Sequence, residues 1–180
     1  RVKEMDEAGI DLQLVCQGAG IDADQLPASE AMGFVRKSND ILAERIAVGP
    51  DRFMRVVALS LKNIESSVNE IDRMVPKGFR AVLLYPRVDG EMMLDRPETD
   101  PIFKKISDLG LPIFLHGSTS TRDPSLKRLE DGGAGVAYSV LADANVSECV
   151  VRMIASGLFD RHPTLRVVIR SGGGGIPLLL

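Results

Sequence analysis

Residues 99–118, TDPIFKKISDLGLPIFLHGS, hold a complete helix-to-strand unit. Thr99-Asp100-Pro101 reads as a helix start in N-cap style, with proline in the first turn, and Gly110 reads as its stop. The apolar run Leu111 to Leu115 then reads as a buried strand, being short and unbroken rather than alternating. His116 falls at the carboxyl end of that strand. A helix that feeds directly into such a strand is the repeating unit of a parallel α/β sheet.

The pattern recurs on both sides. Leu12 to Gln17, Phe53 to Leu61, Phe79 to Tyr85 and Leu165 to Ile169 are further apolar runs, rich in Val, Ile and Leu. Their near-continuous hydrophobicity suits strands covered on both faces. Helical segments lie between them. Leu26 to Val48 carries Ala31, Phe34, Val35, Ile41, Leu42 and Ile46 at helical spacing, with Ser29 as its cap. Asn63 to Val75 has Ile64, Val68, Ile71 and Val75 on one stripe and Pro76 just after it. Val146 to Ile154 is closed by Gly157, and a fifth helix starts near Pro177. The order is βαβαβαβαβ, without internal repeats or linkers. Periodicity fits a barrel and an open, doubly wound sheet equally well.

At 180 residues the chain is sized for one domain, residues 1–180. Its 44% hydrophobic and 26% charged content is that of a globular protein. A net charge of −3 argues against nucleic acid or an anionic membrane as partner. No apolar run approaches the ~18 residues of a membrane-spanning helix. Cys16 and Cys149 do not make a disulfide framework, so a cytoplasmic location is expected, and Cys16 reads as a buried small hydrophobe. The chain opens at Arg1 and stops inside the apolar run Leu178-Leu179-Leu180, which reads as an internal piece of a longer protein.

Of the two histidines, His162 precedes Pro163 at a strand entrance and reads as a turn residue. His116 stands where ligands and catalytic groups collect in α/β folds, and imidazole there can ligate a metal or move a proton. A buried, hydrogen-bonded histidine is the competing reading. Gly18-Ala19-Gly20-Ile21-Asp22-Ala23 loosely matches a nucleotide-binding fingerprint, with Asp40 as the ribose acid. Asp22, Asp24 and Pro27 delay the helix and would repel a pyrophosphate, so a loop is the better reading. Ser171-Gly172-Gly173-Gly174-Gly175-Ile176-Pro177 follows the last strand and lets backbone pass close to a ligand or a neighbouring element.

Several motifs occur in one order across nearly the whole chain. They are Met5-Asp6-Glu7-Ala8-Gly9-Ile10-Asp11, Asn39-Asp40, Pro50-Asp51-Arg52-Phe53 and Leu109-Gly110-Leu111-Pro112-Ile113-Phe114-Leu115-His116. Gly157-Leu158-Phe159-Asp160 with His162-Pro163, and Gly172-Gly173-Gly174 with Pro177, complete the set. This ordered set resembles the amidohydrolase-related family of aminocarboxymuconate-semialdehyde decarboxylase.

The resemblance implies a metal-dependent (β/α)8 barrel, here incomplete and covering about its second to sixth strands. It implies a non-oxidative decarboxylase of an unsaturated or aromatic carboxylic acid. A metal-dependent hydrolase of a lactone, ester or amide, and a homologue impaired in catalysis, are the alternatives. His116 is implied as a metal ligand, with zinc first and manganese second as the ion. The family's His-Gly-Gly-Gly corner carries Ser171 here in place of its acid/base histidine. The His-x-His pair and the metal-binding aspartate of the family have no match in this sequence. A small-molecule carboxylate is the expected ligand and a homodimer the expected assembly.

Overall fold

The computed structural model describes residues 1–17, 23–47, 49–117 and 134–176, with only the helical backbone described for 134–139. Strands β1 (Gln13–Val15), β2 (Phe53–Ala58), β3 (Phe79–Leu84), β6 (Pro112–Leu115) and β7 (Arg166–Ile169) form one sheet in the order β1-β2-β3-β6-β7. Every neighbouring pair in it is parallel. A two-stranded antiparallel hairpin, β4 (Arg87–Val88) and β5 (Glu91–Met92), is inserted after β3. Strand order follows chain order with no reversal, so there is no switch point of the kind an open nucleotide-binding sheet provides. The sheet is the curled half of a barrel.

Helices α2 (Ala28–Ile46), α3 (Ile64–Met74), α4 (Asp100–Asp108) and α5 (Ala134–Ala155) fill the crossovers. Short helices α1 (Val2–Glu7) and α6 (Leu158–Arg161) precede β1 and β7. The main core lies between sheet and helices, where Ile71 and Met74 of α3, Ile102, Phe103 and Ile106 of α4, and Met153 of α5 meet Val57, Val82, Leu84, Ile113 and Leu115. Each such side chain, fully buried, contributes about 1.5–3 kcal/mol. A smaller cluster on the other face holds Val56, Ala81, Leu83 and Tyr85, with Leu14, Cys16 and Phe114 against it. Alternation along the strands separates the two. Ile113 and Leu115 face the helices, whereas Phe114 faces inward.

Local chemistry departs from the sequence expectation at several helix ends. Asn63 does cap α3, accepting from Ser66 N at 2.9 Å. Ser29 is no cap, because α2 starts one residue earlier, after Pro27. Thr99 precedes α4, but its hydroxyl donates to Arg96 O at 2.7 Å instead of capping the helix. α5 begins at Ala134 rather than Val146, since its even apolar content hides a helical stripe. The helix expected near Pro177 falls outside the described residues.

A buried polar network on the outer layer is paired through Glu70. Glu70, with no exposed side-chain surface, receives Arg73 Nε at 2.8 Å and Nη2 at 2.7 Å, and Asn39 Nδ2 at 2.8 Å. Arg73 Nη1 also reaches Asp40 at 2.7 Å, and Lys77 joins it at 2.9 Å. Asp40 therefore ties α2 to α3 and is not a ribose acid. The Gly18–Asp22 loop of the same motif lies outside the described residues.

Candidate active site

The carboxyl ends of the five parallel strands converge on one side of the sheet, where side chains leave the ladder and can meet a ligand. His116 is placed there by β6. Its backbone N donates to Leu84 O at 3.0 Å, which extends the β3–β6 ladder to the imidazole. Phe114, two residues earlier, packs in the inner cluster, so alternation puts His116 on the inner face. The Tyr85 ring meets it edge-on, with ring centres 5.6 Å apart and planes at 64°.

His116 Nδ1 lies 2.9 Å from Gly117 O. A carbonyl oxygen only accepts, so Nδ1 is the donor, and in the neutral imidazole Nε2 then carries the lone pair. Histidines that ligate metals are commonly oriented in this way through the other ring nitrogen. The imidazole thus fits a metal-ligand role. Among the described residues, no group of three or more His, Cys, Asp or Glu side chains could hold an ion.

Gly117 and the glycine corner are both pressed onto α5. A Cβ at Gly117 would stand 2.8 Å from Ala142 Cβ and from Ala142 O. At Gly174, whose φ is 61° and ψ −125°, a Cβ would stand 2.5 Å from Ser147 Oγ and 2.6 Å from Asp143 O. Ser147 Oγ in turn donates to Asp143 O at 2.9 Å and accepts from Gly175 N at 2.8 Å. Close backbone approach to the helix, not contact with a phosphate, accounts for glycine at these two positions.

Ser171 stands at the start of this corner in left-handed backbone, with φ 54° and ψ 36°, and is exposed. For a residue other than glycine this conformation costs roughly 1–2 kcal/mol. Its carbonyl accepts from Gly174 N at 3.2 Å. Arg170 takes the position beside His116. The last pair of β6 and β7 is Leu115 with Ile169, and His116 and Arg170 are the residues that follow it, Arg170 opening the turn of the glycine corner. Ile169 is extended and packs among the helices, which turns Arg170 to the inner face. Arg170 Nη1 is buried and has no hydrogen-bond partner.

Other polar groups gather at this end. Lys62 Nζ bonds Asp89 at 2.9 Å, and Arg87 bonds Asn145 and Glu148, each at 2.8 Å. Asp24 accepts from Ser60 Oγ at 2.6 Å and Leu61 N at 2.9 Å. Tyr85 was legible in principle, since it ends the run FRAVLLY as His116 ends its own. Lys62 sits in a loop and Arg87 in the inserted hairpin, and no local pattern specifies the course of either.

His162 is at the other end of β7. It is buried, with Nε2 3.1 Å from Asp100 Oδ1 and its ring 6.3 Å from that of Phe103. Burial pushes the Asp100 carboxyl up, but the His162 and Arg161 side chains outweigh it and hold it below the usual carboxylate range. His162 joins α6 to α4. Cys16 and Cys149 are free thiols; burial raises Cys16 and pushes Cys149 up to about 12.

A half-barrel of consecutive parallel strands, with an oriented histidine at the carboxyl end of one, defines the class of barrel enzymes that bind ligands at the strand ends. The amidohydrolase family profile matches residues 4–177, and the chain belongs to that family. Gamma-resorcylate decarboxylase of Rhizobium sp. (strain MTP-10005) is 30% identical over 187 residues, spanning 100% of this chain and 57% of that protein. The crystal structure of 2,6-dihydroxybenzoate decarboxylase from Rhizobium superposes with a TM-score of 0.85 at 28% identity, covering 99% of this chain and 57% of that one. Dihydroxybenzoic acid decarboxylase from Polaromonas sp. JS666, solved with manganese and the inhibitor 2-nitroresorcinol, has a TM-score of 0.82 at 28% identity and covers 99% and 55%. The chain thus spans little more than half the length of these relatives. Its fold is a partial amidohydrolase-type (β/α)8 barrel. No helix among the described residues is long and apolar enough to cross a membrane.

Proposed function

We propose that this chain is the second-to-sixth-strand part, as one partial domain, of a metal-dependent, non-oxidative decarboxylase of an aromatic carboxylic acid. The observation that carries the reading is His116, whose Nδ1 is bonded to Gly117 O so that Nε2 can coordinate. The activities of the relatives support the reaction class. Manganese is favoured over zinc by the ion in the Polaromonas structure. Such an ion supplies a positive centre that polarises a bound carboxylate or activates water. In the reaction the bond from ring carbon to carboxylate breaks, its electron pair stays on the ring carbon, and a proton replaces the departing carbon dioxide. His116 contributes one ligand. Tyr85 limits the tilt of its ring. Ser171, where the family's acid/base histidine is expected, offers a hydrogen bond to substrate but no group that titrates near neutral pH. The free thiols suit a cytoplasmic compartment.

Ser171 also favours a second reading, hydrolysis of a lactone, ester or amide on the same barrel, because that chemistry does not require a carbon to be protonated. The two readings separate in one experiment. The complete protein, loaded with manganese, is given 2,6-dihydroxybenzoate and related hydroxybenzoates, and carbon dioxide release is followed. Release that disappears on chelation and in His116→Ala is the expected result. Ester or lactone hydrolysis without any decarboxylation would replace the first reading with the second.

A further inference from the structure

The carboxyl end of the sheet brings three cations close to the ligand side, and they are not equivalent. Lys62 is held by Asp89 and by Leu26 O. Arg87 is held by Glu148, Asn145 and Gly90 O. Arg170 forms no ion pair among the described residues, and its Nη1 is out of contact with water while making no hydrogen bond. A buried guanidinium nitrogen left this way has lost its hydration with no hydrogen bond to replace it. Arg55 Nε is likewise buried without a hydrogen bond, although that guanidinium is held by Lys77 O, so burial by itself does not single out Arg170. Its place explains the arrangement better: Arg170 follows the last strand pair, Leu115 with Ile169, as His116 does, and Ile169 packed toward the helices leaves Arg170 the opposite, inner face.

We propose that Arg170 is the anchor for an anionic oxygen of the substrate, held one strand away from the His116 ligand position. The inference rests on the proposed reaction class and adds the residue that recognises the acid. The planar guanidinium fits a carboxylate or an adjacent phenolate oxygen in a way an ammonium does not. Arg170 also makes sense of Ser171. The left-handed residue lets the chain turn away immediately after the arginine, so that the corner docks on α5 while the guanidinium stays on the inner face.

The test is direct binding, with turnover as a second readout. Calorimetry on the complete protein measures the affinity for 2,6-dihydroxybenzoate and for resorcinol, which lacks the carboxylate, in wild type, Arg170→Gln and Arg170→Lys. The expected result is a benzoate affinity lowered about ten- to a hundred-fold in Arg170→Gln, with resorcinol binding unchanged. Arg170→Lys should recover part of the loss, and KM should rise more than kcat falls. Equal binding of the benzoate by wild type and Arg170→Gln overturns the proposal, as does a matching loss for resorcinol, which would indicate packing. If Arg170→Gln does not fold, Arg170→Lys decides alone: full benzoate affinity or an equal loss for resorcinol overturns it, and a selective loss supports it. A wild-type protein that neither binds nor decarboxylates any hydroxybenzoate would instead remove the reaction class on which the anchor depends.

Discussion

Asn39 pairs with Ala58 as a neighbouring strand would: its Nδ2 donates to Ala58 O and its Oδ1 accepts from Ala58 N, both at 3.0 Å. β1 stops pairing at Val15, opposite Arg55, so among the described residues the end of β2 has no strand on that side. The side-chain amide from α2 completes the ladder there, and its remaining donor hydrogen reaches Glu70. One residue of α2 thus satisfies three buried groups on two other elements, β2 and α3.

Asn39→Ala should therefore destabilise the fold by roughly 2–4 kcal/mol, from the buried groups left without partners. Asn39→Asp should cost more, because a second carboxylate would then face the buried Glu70. Denaturant unfolding followed by circular dichroism measures both. An Asp variant as stable as wild type would contradict this account.

Stability in acid should depend on Asp40. Hydrogen bonds from Arg73 and Lys77 hold its carboxyl below the usual carboxylate range. A depressed value means that the stabilisation is present above the ordinary aspartate value of about 3.9 and disappears as pH falls through the lower, folded one. Asp40→Asn should lose that contribution and unfold along a flatter acid limb. Its half-exposed position keeps the effect modest. Parallel acid titrations of the two proteins are the check.

Gly174→Ala should cost on the order of 3 kcal/mol, because the backbone is strained for any side chain and the new Cβ would press on Ser147 and Asp143. Gly172 is also left-handed, at φ 63°, but has open space around it, so Gly172→Ala should cost less. Thermal unfolding of the pair distinguishes crowding from backbone conformation.

The histidines should separate by phenotype. In the complete protein His116→Ala should lower metal occupancy with little change in melting temperature, whereas His162→Ala should leave occupancy intact and lower stability by about 1–3 kcal/mol. Metal analysis and calorimetry on the same samples read both. Equal losses of metal would show that neither imidazole is a specific ligand.

Ser171→Ala should remove about one hydrogen bond, ~0.5–1.5 kcal/mol in transition-state terms, and leave the shape of the pH–rate curve alone. A several-hundred-fold loss with a displaced limb would mean that this serine takes part in proton transfer.

The succession of strands and helices along the chain and the position of His116 after its strand follow from linear patterning. An unbroken apolar run between helices has to be a covered parallel strand, and the residue after it has to emerge at the ligand end. The glycine corner and the Asn63 cap are equally local, because φ preference and capping act over a few residues. What remained open in the sequence was decided by contacts between distant segments. Barrel or open sheet turned on which strands pair, which periodicity within any one strand does not encode. Asp40 could stand for a ribose acid until Arg73 and Lys77 were brought to it across the α2–α3 interface. Arg170 and Ser171 are adjacent in sequence, and only the packing of Ile169 against the helices gives Arg170 the inner face. A period of two assigns alternate faces but not which face is inside; burial of the partners does that.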